Sequence, residues 1–85
     1  MSKKRSKLEI YLEVLRVIRM GCSKPTNIMY KCNLSWITLQ EILSSLVKKE
    51  LVAEIERNGR RIYVITAKGK NVLSNLEETY SILSM

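Results

Sequence analysis

Residues 33–51 read NLSWITLQEILSSLVKKEL, and the rest of the chain is organised around how this stretch folds. Ser35 is a good helix N-cap, because its hydroxyl can accept from a backbone N–H that the first turn leaves without a partner. Leu39, Ile42, Leu43 and Leu46 recur at helical spacing and predict a stripe turned to a core. At about 100° per residue the opposite face carries Ile37, Glu41, Ser44 and Lys48, flanked by Thr38, Gln40 and Ser45. A solvated helix usually carries charge at every turn, so short hydrogen-bonding groups around an exposed isoleucine read as a contact surface. An ordinary surface low in charge is the plainer alternative.

Upstream, the pattern from Lys7 to Met20 carries two apolar stripes, Leu8, Tyr11, Leu12, Leu15 and Ile18 beside Ile10, Val14 and Val17. Such a helix is covered on more than one side. Gly21 is expected to end it, and Ser23 to cap a short helix from Lys24 to about Cys32 with Pro25 in its first turn. Ile28, Met29 and Cys32 form the buried side of that helix, and Asn33 supplies the left-handed residue of a tight turn. A short helix, a tight turn and a longer helix with a polar outer face make a helix-turn-helix.

Downstream, Val52 to Arg57, then Asn58-Gly59, then Arg60 to Ile65 read as a hairpin with a two-residue type I′ turn. Pairing across that turn sets Ile55 against Ile62 and Ala53 against Val64 on one face, which is expected to be the apolar one. Glu56 falls against Arg61 on the other. Arg57, Asn58, Arg60 and Arg61 crowd the tip, where they form a wing able to hold a phosphate backbone or enter a minor groove. Solubilising charge on a hairpin edge is the alternative.

Thr66 is expected to cap a last helix. Its residues Leu73, Leu76, Tyr80 and Leu83 alternate by three and four, and Val72, Thr79 and Ile82 widen the stripe. This stripe predicts a homodimer through the C-terminal helix, with help from the first; folding back over the first helix of the same chain is the other possibility. The expected division is therefore 1–66 as a winged helix-turn-helix with a basic N-terminal arm, and 67–85 as a dimerisation helix. The fold class is mainly α with one small β-hairpin.

Composition narrows the function. Fifteen Lys and Arg against 8 Asp and Glu give a net charge of +7 on 85 residues, which favours polyanions as partners. Lys3, Lys4 and Arg5 open the basic arm, which Lys7 continues behind the expected cap Ser6. The apolar content of 46% is high for so short a chain and points to burial between subunits. Glu9, Glu13 and Arg16 interrupt any signal-type run, and no stretch reaches the roughly 18 apolar residues of a spanning helix, so a soluble, intracellular protein is expected. The absence of histidine and of a Gly-rich phosphate loop argues against an enzyme. Cys22 and Cys32 are expected to be small buried hydrophobes, neither bridged nor metal-binding; no metal, cofactor or small-molecule substrate is expected.

KKRSKLEI at 3–10, PTNIMYKCNLS at 25–35, LVKKELV at 46–52 and ITAKGK at 65–70 together resemble the small archaeal winged-helix DNA-binding proteins of the ten-kilodalton chromosomal type. The resemblance covers nearly the whole chain. It implies a winged helix whose helical C-terminal extension pairs as an antiparallel coiled coil, and double-stranded DNA binding in chromatin compaction or transcriptional regulation. It places the recognition helix at Ser35 to Glu50 and the wing at Arg57 to Arg61.

The expected DNA contacts follow. Ser35, Trp36, Ile37, Gln40, Glu41 and Ser44 would meet bases in the major groove, Trp36 and Ile37 through thymine methyls and Glu41 through a cytosine amino group. Trp36 lies at the edge of the core stripe and packing there is its alternative. Lys3, Lys4, Arg5, Lys48, Arg57, Asn58, Arg60 and Arg61 would hold the backbone, and Leu73, Leu76, Tyr80 and Leu83 the dimer. The helix offers no arginine for bidentate guanine recognition, so weak sequence preference is expected. A protein-interaction module is the alternative from another class; single-stranded RNA binding lacks its stacking aromatics, with no Phe and one Trp.

Overall fold

The apolar stripe of the 33–51 stretch is buried as its spacing requires. In the computed structural model, which describes residues 5–84, it belongs to the helix α3, Trp36–Lys48. The other elements are α1 Lys7–Arg19, α2 Pro25–Cys32, β1 Val52–Arg57, β2 Arg60–Ile65 and α4 Ala67–Leu83. Ser35 is extended, and its hydroxyl accepts from the Thr38 N–H at 3.2 Å. Leu39, Ile42, Leu43 and Leu46 then meet Leu12, Val14, Leu15 and Ile18 of α1 and Ile28 and Cys32 of α2 in one core.

Helix α1 is the central support, packed against α2, α4 and β2. Ser6 caps it in a reciprocal pair with Glu9, each side chain accepting from the other's backbone N–H at 3.0–3.1 Å. At its far end Gly21 has φ 103°, and the N–H groups of Gly21 and Cys22 bond to the carbonyls of Ile18 and Val17. Asn33, at φ 53°, closes α2 by the same device.

Four expectations are corrected. Ser23 does not cap α2: Pro25 is its first residue, and Lys24 takes the cap position without a side-chain bond. Proline pushes the residue before it into extended backbone, and Lys24 has φ −82° and ψ 130°. Ser23 instead offers its carbonyl to the Tyr63 N–H at 2.9 Å, fastening the start of α2 to β2. Cys22 is only half-buried, unlike Cys32, whose thiol is pushed up to about 11 chiefly by burial and then by the Glu13 carboxylate.

The hairpin has the expected register, and Asn58 and Gly59 take the positive φ values (53° and 74°) that a type I′ turn needs. Its faces, however, are not one apolar and one polar. Val52 pairs with Ile65 and Glu54 with Tyr63 on the same face as Glu56 and Arg61, and it is this face that buries Val52 and Tyr63. Ile55, on the opposite face, is exposed. β1 packs on α3 while β2 packs on α1 and α2, so the base of the ribbon is apolar on both sides.

The fourth correction concerns α4. Thr66 caps it, accepting from the Gly69 N–H at 2.9 Å. Leu73 is 0% exposed and lies in the chain's own core, with Leu76 and Tyr80 packed against that core. Arg16 and Arg19 of α1 both grip Glu77 at 2.8 and 3.0 Å, and these hydrogen bonds, that of Arg19 first, hold its carboxyl below the ordinary glutamate range. The stripe from Leu73 to Tyr80 therefore covers α1 of the same chain, which removes Leu73 from the expected dimer contacts. Leu83, at 78% exposed, and its neighbour Ile82 project past that cover.

Between α3 and α4 the backbone is fully committed. The carbonyls of Lys49, Glu50 and Leu51 accept from Lys68 Nζ (3.1 Å), the Thr66 hydroxyl (2.7 Å) and the Thr66 N–H (3.1 Å). Glu50 sits at φ 63°, a left-handed position that disfavours a side chain. Glu50→Gly leaves its backbone bonds in place and is expected to stabilise the fold by about 0.5–1 kcal/mol. A higher urea midpoint at unchanged slope is the expected reading; a lower midpoint would show that the Glu50 side chain contributes more than its backbone strain removes.

Candidate nucleic-acid interface

The outer face of α3 is open. Ile37 is 73% exposed, Glu41, Ser44 and Lys48 are exposed, and Trp36 is 47% exposed at the edge of the stripe. Gln40 is half-buried beside them. Ser35 lies at the surface, but its hydroxyl accepts from the Thr38 N–H and donates to Thr38 Oγ1 at 2.9 Å, so it serves the helix start. Ser45 turns the other way: it accepts from the Tyr11 hydroxyl at 3.0 Å and from Lys49 Nζ at 2.8 Å.

The hairpin stands between two clefts. On one side Gln40, Ser44 and Lys48 of α3 face Glu54, Arg61 and Tyr63 across a cleft of about 320 Å³. On the other side Lys24, Pro25 and Thr26 at the start of α2 face Arg57, Asn58, Arg60, Arg61 and Ile62 across one of about 550 Å³. All three tip arginines line the larger cleft, and Arg61 lines the α3 cleft as well. Arg57 and Arg60 pair across the strands on one face, and Arg61 projects from the other. This division follows from strand alternation, which puts neighbouring residues on opposite faces.

Sequence reasoning missed four residues here. Lys24 and Thr26 come beside the tip because the Ser23 carbonyl ties α2 to β2; the Lys-Pro pair at a helix start was the available signal. Glu54 and Tyr63 enter the α3 cleft because their face is the buried one. The Tyr63 hydroxyl donates to Glu54 Oε2 at 2.8 Å, and burial first, then that carboxylate, pushes the phenol up to about 12, so the O–H remains a donor at neutral pH.

Of the basic arm, Lys3 and Lys4 lie outside the described residues. Arg5 is held by its own chain: Nη1 donates to Glu13 (2.8 Å) and to the Cys32 carbonyl (2.8 Å), and Nη2 to the Asn33 carbonyl (3.2 Å). It ties the arm to the turn between α2 and α3, and its guanidinium is turned inward.

The profile of the winged helix-turn-helix family matches residues 4–84. The chain is a winged helix-turn-helix protein. Helices α2 and α3 are its helix-turn-helix, and the hairpin is the wing. Among solved structures, this winged helix is similar to Sso10a-2, a DNA-binding protein from Sulfolobus solfataricus. The TM-score is 0.82 at 30% identity, covering 94% of this chain and 83% of that one. It is 30% identical over 82 residues to an uncharacterised protein of Methanocaldococcus jannaschii, covering 96% of this chain and 37% of that longer protein. The winged helix thus spans little more than a third of that relative. A MarR family regulator from Neisseria meningitidis shares the fold, with a TM-score of 0.70 at 22% identity, covering 88% of this chain and 56% of the regulator. The resemblance to small archaeal winged-helix DNA-binding proteins, read first from four short stretches, extends over the whole fold.

Proposed function

We propose that this winged helix binds double-stranded DNA, with α3 in the major groove and the wing on the backbone or in the minor groove. One arrangement carries the reading: an exposed helix face poor in charge, bordered by cationic clefts on both sides of the wing. Lys48, Arg61, Arg57, Arg60 and Lys24 would hold phosphates, with Asn58 at the wing tip. Trp36, Ile37, Gln40, Glu41 and Ser44 would face base edges. Ser35 sets the start of that face, and Arg5 is left out of the contacts because its guanidinium is tied to Glu13 and to the carbonyls of Cys32 and Asn33. No described helix is long and apolar enough to cross a membrane.

The role supported is that of a transcriptional regulator or a chromatin-associated factor of the nucleoid. Since α3 carries no arginine, base discrimination rests on single hydrogen bonds and thymine methyls, which favours modest sequence preference. The exposed Ile82 and Leu83 support pairing of two copies through the far end of α4, with Leu76 and Tyr80 at its border. Sedimentation at micromolar concentration should show a dimer, and a monomer at all concentrations would refute that part.

The direct test is anisotropy of a labelled mixed-sequence duplex across a salt series. Five phosphate-holding side chains in each copy predict that log affinity falls linearly with log salt, with a slope of roughly −4 to −5 per copy. Full competition by any unlabelled duplex would favour the chromatin role, and persistence at a preferred sequence the regulatory one. Absence of binding at low salt would overturn the DNA reading. The exposure of Ile37 would then favour docking of the α3 face on another protein, for which Arg60→Glu with Arg61→Glu should leave partner binding intact.

A further inference from the structure

We propose that Glu54 is a positioning residue of the α3 cleft: it holds Arg61 in an ion pair that a phosphate must displace, and so limits how tightly the cleft takes a DNA backbone. This rests on the DNA-binding reading. The register sets Glu54 directly opposite Tyr63, and Arg61 lies on the same face of the ribbon. The Tyr63 side chain is 5% exposed, so the phenol that donates to Glu54 Oε2 at 2.8 Å is fixed by packing. The same carboxylate oxygen lies 3.7 Å from Arg61 Nη1, whose side chain is 72% exposed.

The carboxylate is thus anchored from the buried side and meets its cation on the open side. An exposed pair at this separation is weak, whereas a phosphate can take a guanidinium through two charge-assisted hydrogen bonds. Arg61 is therefore free to exchange partners, and Glu54, held by Tyr63, is not free to follow. Once Arg61 has turned to a phosphate, an uncompensated carboxylate stays in the cleft well within a Debye length of the backbone. Among the described residues lining this cleft, Glu54 is the one acidic side chain, against Lys48 and Arg61. A glutamate serving solubility alone has no need of a buried phenol to hold it.

The test uses the full chain and the mixed-sequence duplex. Glu54→Gln keeps an oxygen to accept from Tyr63 and removes the charge. It is expected to lower Kd about fivefold near 0.1 M salt and to steepen the salt slope by about one. Arg61→Ala should then weaken binding several-fold more in the Glu54→Gln background than in the parent. Glu54→Asp, which keeps the charge, should retain the parent slope. Glu56→Gln makes the same charge change at the register position opposite Arg61, where the side chain makes no ion pair or hydrogen bond to a described residue and no phenol anchors it, and should shift Kd less than about twofold.

Equal gains for the two glutamine variants, or no coupling between positions 54 and 61, would overturn the inference. Failure of the parent protein to bind duplex would instead overturn the DNA reading itself. Thermal melts of every variant distinguish a lost fold from a changed cleft.

Discussion

Replacing Arg57, Arg60 and Arg61 together by alanine is expected to weaken duplex binding at least about a hundredfold and to leave the fold intact. Each arginine that neutralises a phosphate contributes about 0.9 to the salt slope, so the slope should fall by roughly 2.7. The loss is read as much in that slope as in Kd. The three side chains are exposed, and the turn they surround is set by Asn58 and Gly59, which remain. The melting temperature should therefore move by no more than a few degrees. A loss below about threefold, with an unchanged slope, would show that the wing does not touch the backbone.

Gly69→Ala should act in the opposite way, on the fold before the function. Gly69 lies buried in the first turn of α4, where a methyl group would press into the backbone carbonyl of Leu51 and come within 2.8 Å of Ile65 Cγ1. Alanine is favoured over glycine in a helix by about 1 kcal/mol. The contact, however, is with backbone that also accepts from the Thr66 N–H, so relief requires α4 to lift from the end of α3. A net loss of about 2 kcal/mol is expected, lowering the melting temperature by roughly 8–16 °C, and Gly69→Val should lower it further. A melting temperature at or above that of the parent would mean that the close approach of α4 to Leu51 is not required.

What the sequence disclosed was mostly local. The Ser35 cap, the stripe from Leu39 to Leu46 and the Asn58-Gly59 turn each depend on a few adjacent residues, and all stand as read. The misread features depend on neighbours distant in the chain. Leu73 belongs to a stripe that looks the same whether its own α1 or a second copy covers it. Alternation along the hairpin identifies two faces but not which one the core takes, and this hid Glu54 and Tyr63. Arg5 reads as a free cation until Glu13 and the carbonyls of Cys32 and Asn33 gather around it. The positive φ of Glu50 carried no signal at all, since glutamate is rarely the residue placed there.

The same logic applies to the candidate site. The exposure of Ile37, Ser44, Lys48 and the wing arginines was legible because helical and strand periodicity decide which side chains face outward. The site's supporting parts were not, because they are assembled by tertiary contacts, as when the Ser23 carbonyl brings Lys24 and Thr26 beside the wing.

The three carbonyls at the end of α3 that the start of α4 occupies turn two helices into one bent lever. In a two-copy assembly joined at the far ends of α4, the angle at that junction is transmitted to the recognition helix, so the pair acts as a gauge with a fixed gap between its jaws. The number of base pairs separating two engaged segments of duplex would then be set by Thr66 and Lys68, which lie outside the proposed DNA contacts. Altering them would change the calibration of that gauge and leave its grip as it was.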